Sequence, residues 1–506
     1  MFLKSSLLMT SGLGFDTYVR EEVREERVQV KKPHVILIMT DQHRGDALGC
    51  MGNSAVISPN LDRLAKEGTL FVNGYSASPS STPARAGLLT GMSPWHHGML
   101  GYGRVAEKYT YEMPQMLRNL GYYTFGVGKM HWFPQKALHG FHTTLIDESG
   151  RVESKDFISD YREWFQLHAP GENPDLTGIG WNAHGAGIYK LPEKLHPTAW
   201  TGQTACELIR NYNCDKPLFL KVSFARPHSP YDPPKRYLDM YRDADIPKPS
   251  LGDWCGKYAE RLDPEKDAPY GNFGDEYAVK SRRYYYANIT FIDDQIGEII
   301  AVLKERGMYD NAIICFTADH GDMLGDHYHW RKTYPYEGST HIPYIVKWPA
   351  GMYKKVPLGA RIEQPVELRD FLPTFIELAG GAVPPDMDGK SLLKLVQGQE
   401  SEWRKYLDME HATCYSQDNY WCALTDGKIK YVWNFHTGKE ELFDLRKDPN
   451  ELVECSGKPA YATQLKEMRQ AMVDHLAERD ETFVKDGKLV VRETTMLYSP
   501  NYPQTK

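Results

Sequence analysis

The sequence predicts an α/β chain: a large central, mostly parallel sheet flanked by helices over residues 33–395, then a smaller α+β segment with an antiparallel sheet over 396–506. Three observations carry this reading. Val35-Ile36-Leu37-Ile38-Met39 and Ala312-Ile313-Ile314-Cys315-Phe316 are continuous apolar, largely β-branched runs, the signature of strands buried on both faces. Between them, Ile289, Ile292, Ile296, Ile299, Ile300 and Leu303 recur at helical spacing on one face. Beyond residues 388–405, short strand-like runs separated by turn dipeptides replace that pattern.

Taken in order, residues 1–15 (MFLKSSLLMTSGLGF) hold a short apolar stretch, and Phe2-Leu3-Lys4 is similar to the tail of a twin-arginine export motif without its arginines. Residues 1–32 are therefore expected to be an export-signal remnant with a charged lead-in, and the chain to act in the periplasm or outside the cell. The first buried strand breaks off at Thr40-Asp41-Gln42-His43-Arg44-Gly45, the second at Thr317-Ala318-Asp319-His320-Gly321-Asp322. Polar groups just past the C-terminal ends of parallel strands are where open α/β sheets place their sites. The helix before the second strand ends at Lys304, Arg306 and Gly307, basic residues followed by a glycine stop. Asp293 and Asp294 are expected on its polar face as solvent or capping groups. Residues 227–275, rich in Pro, Gly, Asp and Tyr, read as a long loop wrapping a site. Near the C-terminus, residues 420–424, 428–433 and 441–445 form an expected meander with turns at Asp426-Gly427 and Thr437-Gly438, and a helix is expected near 461–478.

Composition narrows the function. Among 506 residues, 60 Lys+Arg face 67 Asp+Glu, for a formal net charge of −7, and 41% are hydrophobic. That excludes a disordered chain and a dominant basic surface for nucleic acid. No stretch approaches the roughly 20 apolar residues of a membrane span. The 8 cysteines form no C-x-x-C pair, which argues against a zinc cluster and a disulfide scaffold and leaves a single disulfide open.

Residues 81–91 read Ser81-Thr82-Pro83-Ala84-Arg85-Ala86-Gly87-Leu88-Leu89-Thr90-Gly91. This resembles the [C/S]-x-P-x-R-x-x-x-L-T-G motif of the type I sulfatases of the alkaline phosphatase superfamily, with every fixed position present. Four further segments resemble the family in order: Gly128-Lys129-Met130-His131, Arg226-Pro227-His228-Ser229-Pro230-Tyr231, His329-Trp330-Arg331-Lys332 and the stretch from Leu442 to Glu451. The resemblance implies an alkaline-phosphatase-like fold and a serine-type enzyme. In it a maturase oxidises Ser81 to 3-oxoalanine (formylglycine), whose hydrated aldehyde attacks sulfur and later expels sulfate. It implies that Arg85 holds the modified side chain, that Lys129 binds sulfate, that His131 assists the nucleophile, and that His228 and Lys332 contact sulfate and the leaving oxygen. It also implies a metal held by Asp41, Gln42, Asp319 and His320 together with residue 81. Ca²⁺ is expected, with Mg²⁺ or Mn²⁺ as alternatives, because oxygen donors suit hard cations. Gln42 and His320 depart from the commoner Asp and Asn of the family.

His96 and His97, close behind the motif, are read as pocket-lining or structural; Asp322, Asp326 and His327 as loop-shaping; and Trp132, Tyr231 and Trp330 as sugar-stacking or packing aromatics. The Asp-Gln pair and the Arg-Pro-His segment are similar to those of uronate 2-O-sulfatases. The expected substrate is thus a sulfated carbohydrate, such as a glycosaminoglycan oligosaccharide cleaved from its end. Two other readings stand beside it: a phosphonate monoester or phosphodiester hydrolase on the same scaffold, and a non-catalytic protein that binds sulfated glycans.

Overall fold

The computed structural model describes residues 32–148, 151, 154–262, 267–352, 356–399 and 403–504. All but Lys32 of the expected export remnant and lead-in, residues 1–32, lies outside them. The central sheet has eight strands: β1 His34–Asp41, β2 Thr69–Phe71, β4 Tyr123–Gly128, β5 Thr143–Ile146, β6 Leu218–Pro227, β7 Ala312–Ala318, β8 Tyr344–Lys347 and β9 Ala360–Ile362. Two short strands, β3 Gly74–Tyr75 and β10 Val366–Glu367, pair beside it. The order is β5-β4-β6-β1-β7-β8-β2-β9. Every pairing is parallel except those of β8 with β7 and β2.

The buried runs explain the layering. Along β1, Val35, Leu37 and Met39 enter the cluster that holds Leu88, Leu89, Phe371 and Phe375. Ile36 and Ile38 enter the opposite cluster with Leu61, Ile209, Ile292, Ile296 and Ile299. Because side chains alternate across a strand, one run of five apolar residues supplies both faces. The helix carrying those isoleucines is longer than its apolar stripe suggests, Asp275–Glu305, and Gly307 follows with φ 63°. It begins at Asp275, the last residue of the expected loop 227–275, and its first turns precede the apolar stripe that starts at Ile289. Asp294 behaves as expected, half-exposed with Arg236 and Tyr237 as partners. Asp293 is a capping group, but a buried one. Its carboxylate accepts the Asn60 and Leu61 N–H groups at the head of the helix Pro59–Glu67.

The C-terminal sheet is antiparallel, in the order β11 Leu407–His411, β12 Trp421–Thr425, β13 Ile429–Asn434 and β14 Glu440–Asp444, and the helix Ala462–Leu476 packs on it. Three of these strands match the expected meander; β11 adds an edge strand that the sequence pattern did not mark. That strand and Ala412 just past it bond back to the N-terminal part of the chain: Glu410 N–H donates to Ala77 O and Ala412 N–H to Leu100 O. All eight cysteines are unpaired. Among the described residues, no helix is long and apolar enough to cross a membrane.

Candidate active site

The site sits at the C-terminal edge of the two central strands. Thr40 of β1 is in register with Ala318 of β7, so Asp41 and Asp319 emerge side by side. Both are fully buried, as is His320. Asp41, Asp319 and His320 offer donor atoms that all lie within 4.8 Å of one another. Asp319 Oδ1 accepts the backbone N–H groups of Gln42 and His320, each at 3.0 Å. Gln42 has a left-handed backbone, φ 63°, which turns the chain sharply at the strand end.

Ser81 begins the helix Ser81–Thr90. Its Oγ lies 3.3 Å from Asp41 Oδ2 and 3.1 Å from His320 Nε2. One turn on, Arg85 is 1% exposed and binds both carboxylates: Nε meets Asp319 Oδ2 at 2.9 Å and Nη2 meets Asp41 Oδ2 at 3.0 Å. Its Nη1 donates to Lys129 O and Ser223 Oγ. Lys129 Nζ reaches Asp41 Oδ2 at 2.8 Å. On the other side, Lys332 Nζ donates to Gln42 Oε1 at 2.9 Å and approaches His228 Nε2 at 2.8 Å. His228 Nδ1 faces Ser229 O; it therefore holds the ring proton, and Nε2 accepts from Lys332.

Charge explains the titration behaviour. Burial alone would raise the Asp41 pKa, but the positive charges of Lys129 and Arg85 outweigh it and hold the carboxyl well below its usual range. Burial drives Lys332 down to about 8, with Lys129 and Arg331 adding to the effect against the attraction of Asp41 and Asp319. Burial also lowers His228, His320 and His131, keeping all three neutral.

All ten sequence-nominated site residues converge: Ser81, Arg85, Asp41, Asp319, His320, Gln42, Lys129, His228 and Lys332 by direct contact, and His131 across the same cavity. His131 is the least tied down. Its ring is 95% buried with both nitrogens unpartnered, and its backbone is left-handed, φ 61°. The cavity, of about 220 Å³, is walled by Tyr102, Arg151, Trp181, Asn182, Thr333 and Tyr415. The secondary nominations separate. Trp132, Tyr231 and Trp330 are buried to 2% exposure or less, so they pack rather than offer a stacking face. His96 pairs with Asp388 and Glu478, and His97 is buried; neither lines the cavity.

Supporting residues escaped sequence reasoning. Glu148 is 1% exposed, and its Oε1 accepts the N–H groups of Met130 and His131, fixing the turn that carries Lys129. Asp322, nominated only as loop-shaping, accepts from Gln42 Nε2 and Tyr231 Oη and so points the Gln42 carbonyl oxygen into the site. No local motif marks either role, because each partner lies in another segment.

The donor set fits a divalent cation. Asp41 Oδ1 is a buried acceptor without a hydrogen-bond partner, 3.8 Å from His320 Nε2. It is grouped with the Asp319 carboxylate and the His320 imidazole, and the Gln42 amide oxygen, which accepts from Lys332, adds a further donor. Unpaired buried acceptors of this kind are costly unless a cation serves them.

A mostly parallel sheet with a serine, paired acids and a ring of buried cations at its C-terminal edge defines the class, an alkaline-phosphatase-like hydrolase. The sulfatase family matches residues 33–382, and the family described as N-sulphoglucosamine sulphohydrolase, C-terminal, matches 325–478. An arylsulfatase of Clostridium perfringens is 37% identical over 473 residues, covering 91% of this chain and 97% of that protein. A choline-sulfatase of Rhizobium meliloti is 32% identical over 88% of this chain and 87% of its own length. Among solved structures, the phosphonate monoester hydrolase of Agrobacterium radiobacter aligns over 91% of this chain and 100% of that one, with a TM-score of 0.75 at 24% identity. The chain belongs to the sulfatase family and is a sulfuric ester hydrolase.

Arg85 answers two buried charges at once, so its removal has a measurable cost. In metal-free protein, Arg85→Met should lower unfolding free energy by about 3–5 kcal/mol, the range for breaking a buried ion pair from one side. Denaturant unfolding monitored by tryptophan fluorescence checks this. An unchanged midpoint would mean that the carboxylates are compensated by something other than Arg85.

Proposed function

We propose that the protein removes sulfate from an O-sulfated carbohydrate, acting from the end of a glycosaminoglycan-type oligosaccharide, through a formylglycine made from Ser81 and with Ca²⁺ at the acidic cluster. One observation carries the proposal: Ser81 Oγ stands at the head of a helix, within 3.3 Å of Asp41 and 3.1 Å of His320, with Arg85 and Lys129 both on the same Asp41 oxygen. The carbohydrate reading draws on the name of the second matching family and on the cavity wall. There the aromatics Tyr102, Trp181 and Tyr415 stand beside Arg151, a combination suited to an anionic sugar.

Asp41, Gln42, Asp319 and His320 would hold the ion, which would supply Lewis-acid polarisation of a sulfate oxygen. Formylglycine would supply a paired hydroxyl, so that departure of sulfate needs no second attack at sulfur. The chain's own groups do the rest. Arg85 locks the nucleophile helix against both acids. Lys129 and Lys332 bring positive charge to the sulfate oxygens. Lys332 carries the proton an alkoxide leaving group needs, and neutral His228 orients that ammonium through Nε2. His131, neutral with both nitrogens free, can accept a proton from the nucleophile.

The first test is the mass of the tryptic peptide Glu67–Arg85 from protein made in its native host, with fragmentation to localise any change. Loss of two hydrogens at Ser81 is expected. Unmodified serine in an active enzyme would overturn the formylglycine mechanism, and in a glycan-binding protein without turnover it would overturn catalysis itself.

A substrate panel tests the rest. Uronate and hexosamine O-sulfates should give the highest kcat/KM, ahead of 4-nitrophenyl sulfate and choline sulfate. The fold shared with a phosphonate monoester hydrolase makes phosphonate and phosphodiester substrates the counter-test. Preference for those would replace the sulfate-ester specificity proposed here.

The lowered Lys332 pKa gives a pH signature. The protonated amine is the active form, so kcat/KM should fall as pH rises through about 8, well before an ordinary lysine at roughly 10.4 would titrate. Lys129→Ala and Lys332→Ala should each cut kcat/KM by about 10²–10³-fold, and Lys332→Ala should also erase the alkaline limb. Normal turnover by both variants would show that the sulfate does not sit between these lysines.

A further inference from the structure

Ser80, immediately before Ser81, occupies the N-cap of the helix Ser81–Thr90 with extended backbone, φ −153° and ψ 153°. Serine at this position ordinarily turns its hydroxyl back to accept an amide of the first turn. Here it makes no such bond. Its Oγ instead lies 2.8 Å from His411 Nε2. His411 Nδ1 is 2.6 Å from Ala412 O, so Nδ1 carries the ring proton and Nε2 accepts the Ser80 hydroxyl. Both residues are at least 99% buried. His411 ends β11, and that edge is pinned on either side of it: Glu410 N–H to Ala77 O, Ala412 N–H to Leu100 O, and the Glu410 carboxylate to Arg479.

The consequence falls on the helix head. Among the described residues, neither the Ser81 nor the Thr82 N–H has an acceptor. Pro83 has no N–H, so Thr82 offers the one amide that a Ser80 hydroxyl could cap. Uncapped first-turn amides and the positive end of the helix dipole attract an anion. The buried, unpartnered ring of His131 lines the cavity that Ser80, at the helix head, also lines.

We propose that His411 is a positioning residue for sulfate hydrolysis: by engaging the Ser80 hydroxyl it keeps the helix head uncapped, leaving the Thr82 amide free for an oxygen of the sulfate group. The inference rests on the reading of this head as the sulfate site.

The test is epistasis between the two partners, read as the Kd of inorganic sulfate by calorimetry and as kcat/KM with 4-nitrophenyl sulfate. In His411→Ala the released hydroxyl caps Thr82, so sulfate binding should weaken about three- to tenfold, the range of one N-cap hydrogen bond. Ser80→Ala alone should stay within about twofold of the parent. The double variant Ser80→Ala/His411→Ala should recover sulfate affinity, because no hydroxyl remains to compete. His411→Gln, which keeps an acceptor and fills most of the volume, should lie near the parent and covers the case in which His411→Ala does not fold. A double variant as impaired as His411→Ala, or a His411→Ala with unchanged sulfate affinity, overturns the proposal while leaving the sulfatase site intact. A parent protein that binds no sulfate at all removes both.

Discussion

Two carboxylates, Asp41 and Asp319, end adjacent parallel strands in a place where water does not reach. Everything around them is arranged to make that burial tolerable. Isolated buried carboxylates would protonate or force the strand ends apart. Instead Arg85 spans the pair, and its remaining N–H groups are taken up by Lys129 O and Ser223 Oγ. That geometry leaves the helix Ser81–Thr90 little freedom: with Arg85 fixed to both acids, Ser81, one turn earlier, must come to rest beside them. The location of Ser81, the proposed nucleophile, is thus a consequence of charge compensation as much as of backbone topology.

The same constraint explains why so much of the supporting structure is strained or remote. Gln42, His131, Arg331 and Thr333 all take left-handed backbones, with φ between 61° and 81°. Such conformations persist in non-glycine residues only when neighbours over-determine them. The neighbours are visible. Tyr285 Oη donates to Gln42 O, Glu148 accepts from the His131 N–H, Asp322 accepts from the Arg331 N–H, and Asn419 and Trp421 of the C-terminal sheet region bond Thr333. The C-terminal sheet is therefore part of the site's support, holding both the Lys332 loop and, through β11, the segment leading into Ser81.

What could be read in the sequence was what local pattern encodes. The two buried strands, the polar bursts that end them and the long helix follow from apolar periodicity, and the structure brings all ten nominated residues into one place. The misses have a common cause. Ser223 and Tyr285 act on partners far along the chain, and Glu148 reaches back to another turn, so nothing in their own neighbourhoods marks them. The edge strand β11 alternates apolar and polar residues over only five positions, and its Asp408, Glu410 and His411 find their buried or half-buried partners only in the folded chain, so a run this short does not stand out. Trp132, Tyr231 and Trp330 show the reverse case: aromatics near a site look like ligand platforms, but burial decides, and these three are interior.

The departures from the common sulfatase pattern alter the chemistry in a definite direction. An aspartate at position 42 would set a charge against Lys332 and hold its proton tightly. Gln42 gives the ammonium a hydrogen bond at 2.9 Å without a countercharge, so burial prevails and the pKa falls to about 8. A lysine poised there parts with its proton near neutral pH far more readily than an ordinary one, as the proposed protonation of a leaving alkoxide requires. Asp322 makes the arrangement stable by taking the amide N–H₂ of Gln42, which leaves only the carbonyl oxygen facing the site. Neutral Gln42 also removes one negative charge from the cluster, so the site's cations act on an incoming sulfate with less internal compensation. In the proposed mechanism, the substitution that loosens the match to the family motif is the same one that readies Lys332 as proton donor.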